Sequence, residues 1–182
     1  MCFMSNMKIE RHIFDQALLI SLPARTDLRG GMTSLDMDTL KEILPGFSIR
    51  EQRLYRMPKK NTFFGIHYQE EPHRQAKIVT VLSGKGRDYV IDLRSDSPTF
   101  LKWESIELDA GEPKLVYIPE GFGHAFLSLE ENTMQLFAVN EKFIKGYSKS
   151  IRYDDPDIGL DLPDVDLILS EQDRTAPYSR DM

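Results

Sequence analysis

The stretch Thr62-Phe-Phe-Gly-Ile-His67-Tyr-Gln-Glu-Glu-Pro-His-Arg-Gln-Ala-Lys77 leads straight into Ile78-Val-Thr-Val-Leu-Ser-Gly84. The second run is short, β-branched and closed by glycine, the make-up of a buried strand. In the first, Phe64, Ile66 and Tyr68 alternate with Gly65, His67 and Gln69. Successive strand side chains point to opposite faces, so His67 and Gln69 are expected on one face and the other three on its reverse. A histidine on one strand and Lys77 at the start of the next, both facing one cavity, pair a general base with a cationic stabiliser. That pairing suits removal of a proton beside a carbonyl.

Outward from this pair the chain keeps reading as strands. Residues 48–57, 87–94, 103–108, 114–118, 124–129 and 133–139 each qualify, the last two as a hairpin across residues 130–132. Residues 13–20 read as the first strand, stopped by Pro23, and residues 27–31 as a turn carrying Arg29. Residues 36–44 have helical spacing, a cap at Ser34 or Asp36, and Pro45-Gly46 to end them. Many short strands separated by Gly and Pro turns, without strand–helix alternation, predict an all-β jelly-roll sandwich or barrel. Beyond residue 150 the chain is irregular and acidic, with a helical turn expected near 167–173. Residues 1–7 and 174–182 are expected to be loose tails of one domain spanning 1–182.

Composition narrows the function. The chain has 182 residues, 41% hydrophobic and 29% charged, with a net charge of −6; that balance argues against a broad nucleic-acid surface. The single cysteine, Cys2, excludes an internal disulfide and a cysteine-based zinc site. Residues 1–7 lack a basic segment and an apolar core, so no signal peptide is expected, and Met7 is a plausible second start. No run approaches a membrane span, and the expected compartment is the cytoplasm. The four histidines, His12, His67, His73 and His124, form no His-x-His or His-x-x-x-His pair, which weighs against a metal. Phosphate-cradling, dinucleotide and nucleophile-elbow motifs are missing. A lone strand histidine is usually packed and a strand-end lysine usually reaches solvent, so each residue alone is a weak signal. His124 follows a Gly-rich turn, where backbone approaches a ligand closely. With Arg29, these groups also suit a phosphate.

A resemblance rests on larger pieces: Asp27-Leu-Arg-Gly30, Gly65-Ile-His-Tyr-Gln69, Gln75-Ala-Lys77, Val90-Ile-Asp-Leu-Arg-Ser-Asp-Ser-Pro-Thr99, Tyr117-Ile-Pro-Glu-Gly-Phe-Gly-His-Ala-Phe126, Asp154-Asp-Pro156 and Leu169-Ser-Glu-Gln-Asp173. In order and interval they resemble the dTDP-4-dehydrorhamnose 3,5-epimerase family. The resemblance implies a cofactor-free and metal-free cupin-type jelly roll. It also implies a homodimer with crossing N-terminal strands, acting on a nucleotide-linked 4-keto-6-deoxysugar. His67 takes the general-base position, Asp173 that of its orienting carboxylate, and Lys77 that of the enolate stabiliser. His124 falls on a substrate-binding histidine, Arg29 and Gln52 on nucleotide-diphosphate contacts, and Phe143 on a base-stacking ring.

The chain also departs from the family. An arginine becomes Phe64, the catalytic tyrosine acid becomes Phe137, a glutamate becomes Ser34 and a substrate asparagine becomes Leu54. Epimerisation at one carbon, a related ketosugar isomerisation and a non-catalytic nucleotide-sugar-binding barrel all fit these changes. A metal-dependent cupin enzyme is a further rival.

Overall fold

Apolar and β-branched side chains dominate the middle of the chain, and they pair it into two antiparallel sheets. The structure is a computed structural model that describes residues 7–181; the expected tail at residues 1–6 lies outside them. The six-stranded sheet has the order β1 (Lys8–Ile13), β2 (Ala17–Ser21), β10 (Lys114–Ile118), β7 (Lys77–Ser83), β12 (Thr133–Val139), β5 (Glu51–Met57). The five-stranded sheet runs β13 (Ser148–Ser150), β6 (Phe63–Gln69), β11 (Phe122–Ser128), β8 (Lys85–Asp92), β9 (Trp103–Asp109). Val79, Val116 and Phe137 of the first sheet meet Val90, Phe122 and Phe126 of the second in a common core. Each such fully buried side chain contributes about 1.5–3 kcal/mol. The jelly-roll expectation therefore holds.

Helix α1 (Met37–Ile43) packs Leu40 on the outer face of the larger sheet, and its N-cap is Asp36, whose side chain accepts from the Thr39 amide. Residues beyond 150 cover the outer face of the smaller sheet with Ile151, Ile158, Leu160 and Leu167. A two-stranded ribbon, β3 (Ala24–Asp27) with β4 (Gly30–Thr33), stands apart with all eight residues exposed.

Four expectations need correction. Residues 13–20 are not one strand: the chain turns at Phe14, whose φ is +54°, and β1 and β2 form a hairpin. The polar pair Asp15-Gln16 sits at that turn while residues 17–20 are all buried. Residues 124–129 and 133–139 are not a hairpin either, because β11 and β12 belong to different sheets. Every residue of β11 is buried, and such a strand carries no alternation to specify its partner.

Among the described residues, Met7 and the stretch beyond 174 are held rather than loose. Met7 is 6% exposed and joins the cluster beneath α1. Asp155 accepts the Ser179 amide at 2.6 Å, Arg152 lies over the Tyr178 ring and Ala176 is buried.

The last correction positions the site. In the β6–β11 pair, His67 opposes His124 and Phe64 opposes Phe126, so two residues of β6 face the single Ala125. This bulge flips the alternation. Phe64 joins His67 and Gln69 on the cavity side, while Phe63 and Ile66 turn outward to the C-terminal cover. Gly65 permits it: its φ is +129°, and a Cβ there would lie 2.7 Å from the Ala125 Cα.

Candidate active site

Between the sheets lies a cavity of about 210 Å³ whose lining includes Phe64, His67, Lys77, His124 and Phe137. The bulge on β6 delivers His67. Asp173 reaches it from α2 (Glu171–Arg174), a helical turn capped by the Ser170 hydroxyl, which accepts the Asp173 amide at 3.1 Å. The carboxylate is 1% exposed and lies 2.6 Å from His67 Nε2. A carboxylate only accepts, so Nε2 carries the hydrogen and the lone pair resides on Nδ1, the nitrogen left to take a proton.

Lys77 enters from the opposite sheet. It is 2% exposed, donates to the His67 carbonyl oxygen at 3.1 Å, and holds its ammonium 5.5 Å from the Phe137 ring centroid. Burial lowers its pKa to about 8; Asp88 opposes that change and Arg53 adds to it. His124 bonds Asp88 Oδ2 at 2.8 Å and stacks on Phe137 with ring centroids 5.7 Å apart. Burial also lowers the pKa of His124, against the pull of Asp88.

The other expected residues divide. Phe143 rims the cavity, 49% exposed, with the Arg53 guanidinium 5.6 Å from its ring centroid. Gln52 points away to solvent, as does Leu54, because on β5 it is Arg53 and Tyr55 that line the cavity. Arg29 sits in the β3–β4 turn, its side chain 89% exposed and bonded to Asp27, away from the cavity lining. Sequence reasoning missed Asp88, Arg53, Tyr55 and Gln135. Pattern alone hid Asp88: Tyr89 and Ile91 mark the other face of β8 as the apolar one, and it is the C-terminal cover that buries them. No three His, Cys, Asp or Glu side chains cluster as a metal site among the described residues.

The run from Asp92 to Thr99, at the end of β8, is scaffold. Asp92 is fully buried and accepts from Arg94, Ser97 and Thr99. Burial pushes its pKa up, but those hydrogen bonds outweigh it and hold the carboxyl well below the usual range. Arg94 in turn covers the Phe122 ring at 4.4 Å and so ties this loop to the core.

An oriented imidazole, a buried ammonium and aromatic walls in one cavity can together remove a proton beside a carbonyl and hold the resulting oxyanion. A family model described as dTDP-4-dehydrorhamnose 3,5-epimerase matches residues 12–181. The dTDP-4-dehydrorhamnose 3,5-epimerase of Streptomyces griseus is 35% identical over 125 residues, covering 68% of this chain and 62% of that protein. The enzyme of the same name from Methanothermobacter thermautotrophicus is 33% identical over 178 residues, 94% of each chain. The matched part thus spans less than two thirds of the first relative and nearly all of the second. A crystal structure of the Bacillus anthracis dTDP-4-dehydrorhamnose 3,5-epimerase, with TDP and PPi bound, superposes with a TM-score of 0.91. It is 28% identical and covers 94% of this chain and 99% of that one.

Proposed function

The chain belongs to the dTDP-4-dehydrorhamnose 3,5-epimerase family, and from that premise we propose that it epimerises a dTDP-linked 4-keto-6-deoxysugar at one carbon. His67 takes the proton from the carbon beside the C4 ketone. The electron pair moves onto the ketone oxygen, and the Lys77 ammonium holds the enolate. Reprotonation on the other face restores the ketone with the carbon inverted. Asp173 fixes the tautomer of His67 and balances its charge after proton transfer. The observation that carries this reading is the 2.6 Å contact of His67 with a buried carboxylate in the cavity that also takes in buried Lys77. The TDP held by the Bacillus anthracis relative supports a dTDP-linked substrate.

Incubation with such a ketosugar in heavy water should raise its mass by one for each ring carbon exchanged. A non-catalytic binding barrel is the second reading, favoured by Phe64 and Phe137, which replace polar groups with apolar rings. Binding heat without any mass change would select it.

The exposed ribbon carries Leu28 and Met32, at 107% and 58% exposure, which supports a homodimer in which this ribbon crosses to the partner. Arg29 at its tip then serves the partner's nucleotide site. A monomer in sedimentation would contradict that arrangement.

A pH dependence follows from Lys77. The enolate needs the cationic form, so kcat/KM should fall about tenfold per pH unit above a pKa near 8. Unfolding does not explain that loss. The folded state binds this proton less tightly than the unfolded chain, so between about 8 and 10.5 Lys77 makes the fold more stable as pH rises. A rate that stays flat to pH 10 would contradict the role of Lys77.

A further inference from the structure

With phenylalanine at position 137, the wall opposite His67 has no proton donor at that point. The same wall carries a phenol close by. Tyr55 lines the cavity beside Phe137, their ring centroids 6.0 Å apart and their planes at 81°. It belongs to the six-stranded sheet, whereas His67 belongs to the five-stranded one. Base and phenol therefore reach the cavity from opposite walls, as inversion requires. The cavity's other phenol, Tyr68, follows His67 on the same strand and stands on the base's own wall.

We propose that Tyr55 is the acid that reprotonates the enolate, an assignment that rests on the epimerase reading above. Two further observations support it. The Arg53 guanidinium is tied to Glu51 at 2.8 Å and lines the cavity from the same face of β5 as Tyr55. An opposite charge on that face favours the phenolate that proton donation leaves behind. In addition, Gln135 lies directly across from Tyr55 in the β5–β12 pair. Its side chain is 3% exposed and lines the cavity, and its Nε2 has no partner among the described residues. A buried unpaired donor calls for an acceptor, and a substrate oxygen at Tyr55's end of the cavity supplies one.

The protons balance. His67 gains one from carbon and Tyr55 gives one to the opposite face of the same carbon. The phenolate then recovers a proton from solvent while the imidazolium releases one to it.

Tyr55→Phe in the full chain keeps the ring contacts with Phe64 and Phe137. This variant should still wash the ring proton out into heavy water with retention, through His67, and should bind dTDP as the unaltered protein does. Net inversion should fall about 10²-fold or more. Adding Phe137→Tyr returns a phenol to the neighbouring position and should restore inversion at least in part. Inversion by Tyr55→Phe at the unaltered rate would overturn the assignment. So would equal loss of washout and inversion with dTDP binding kept. Absence of washout from the unaltered protein would instead overturn the epimerase reading, and this assignment with it.

Discussion

His67→Asn will abolish deuterium uptake into the sugar ring while the protein still binds dTDP. Asparagine approximates the size of the imidazole and retains an N–H that can reach Asp173, so the cavity and the α2 contact survive. It has no basic nitrogen. Loss of a positioned general base costs about 10²–10⁴-fold, and loss of the oriented His–carboxylate pair falls at the upper end of that range. The bulge on β6 and the capped turn α2 are joined by this contact, 2.6 Å long and 106 residues apart in sequence. The check is uptake measured by mass in heavy water, with calorimetric dTDP binding as the control for folding. Retained uptake would remove His67 from the chemistry.

The second large effect has two signs. Lys77→Met should lower turnover about 10²–10³-fold, because the enolate oxygen loses its cationic partner in a site shielded from water. The same substitution should raise stability at neutral pH. Holding the pKa down at about 8 from 10.5 costs the fold about 3 kcal/mol while the ammonium is charged. Methionine fills similar space without that cost, and forfeits the donation to the His67 carbonyl and the ammonium's place over the Phe137 ring. A net gain of about 1–3 kcal/mol follows, in line with apolar replacement of buried charges elsewhere. Denaturant melts at pH 7 and pH 10 would test this: the advantage of Lys77→Met should shrink at the higher pH, where the native lysine is already neutral. An inactive variant that is also markedly less stable would mean that Lys77 is a structural ion and not a functional one.

Much of this fold was legible from residue pattern alone. Short β-branched runs between Gly and Pro turns gave the two-sheet architecture, and His67, Lys77 and His124 do converge on one cavity. The misses have physical causes. Alternation fails across Gly65 because the bulge adds one residue and shifts its phase; the glycine inside the strand is the signal that could have revealed it. On β5 the outward face carries Leu54 and the inward face carries Glu51, Arg53 and Tyr55. Gln52 came from the family resemblance alone, and on this strand it is Arg53 and Tyr55 that face the cavity. Partner choice for β11 was invisible because every position of it is buried. The carboxylate of Asp173 came only through family resemblance, since no local rule brings a tail residue behind a histidine on β6.

The measurement closest to the central claim is proton NMR of a dTDP-linked 4-keto-6-deoxysugar in heavy water, resolved by ring position, with the unaltered protein. The account predicts that one ring proton beside the C4 ketone disappears in the presence of the protein and that His67→Asn leaves it in place. Both flanking protons persisting in the presence of tightly bound protein would contradict the account and leave a barrel that binds the nucleotide sugar without reacting with it.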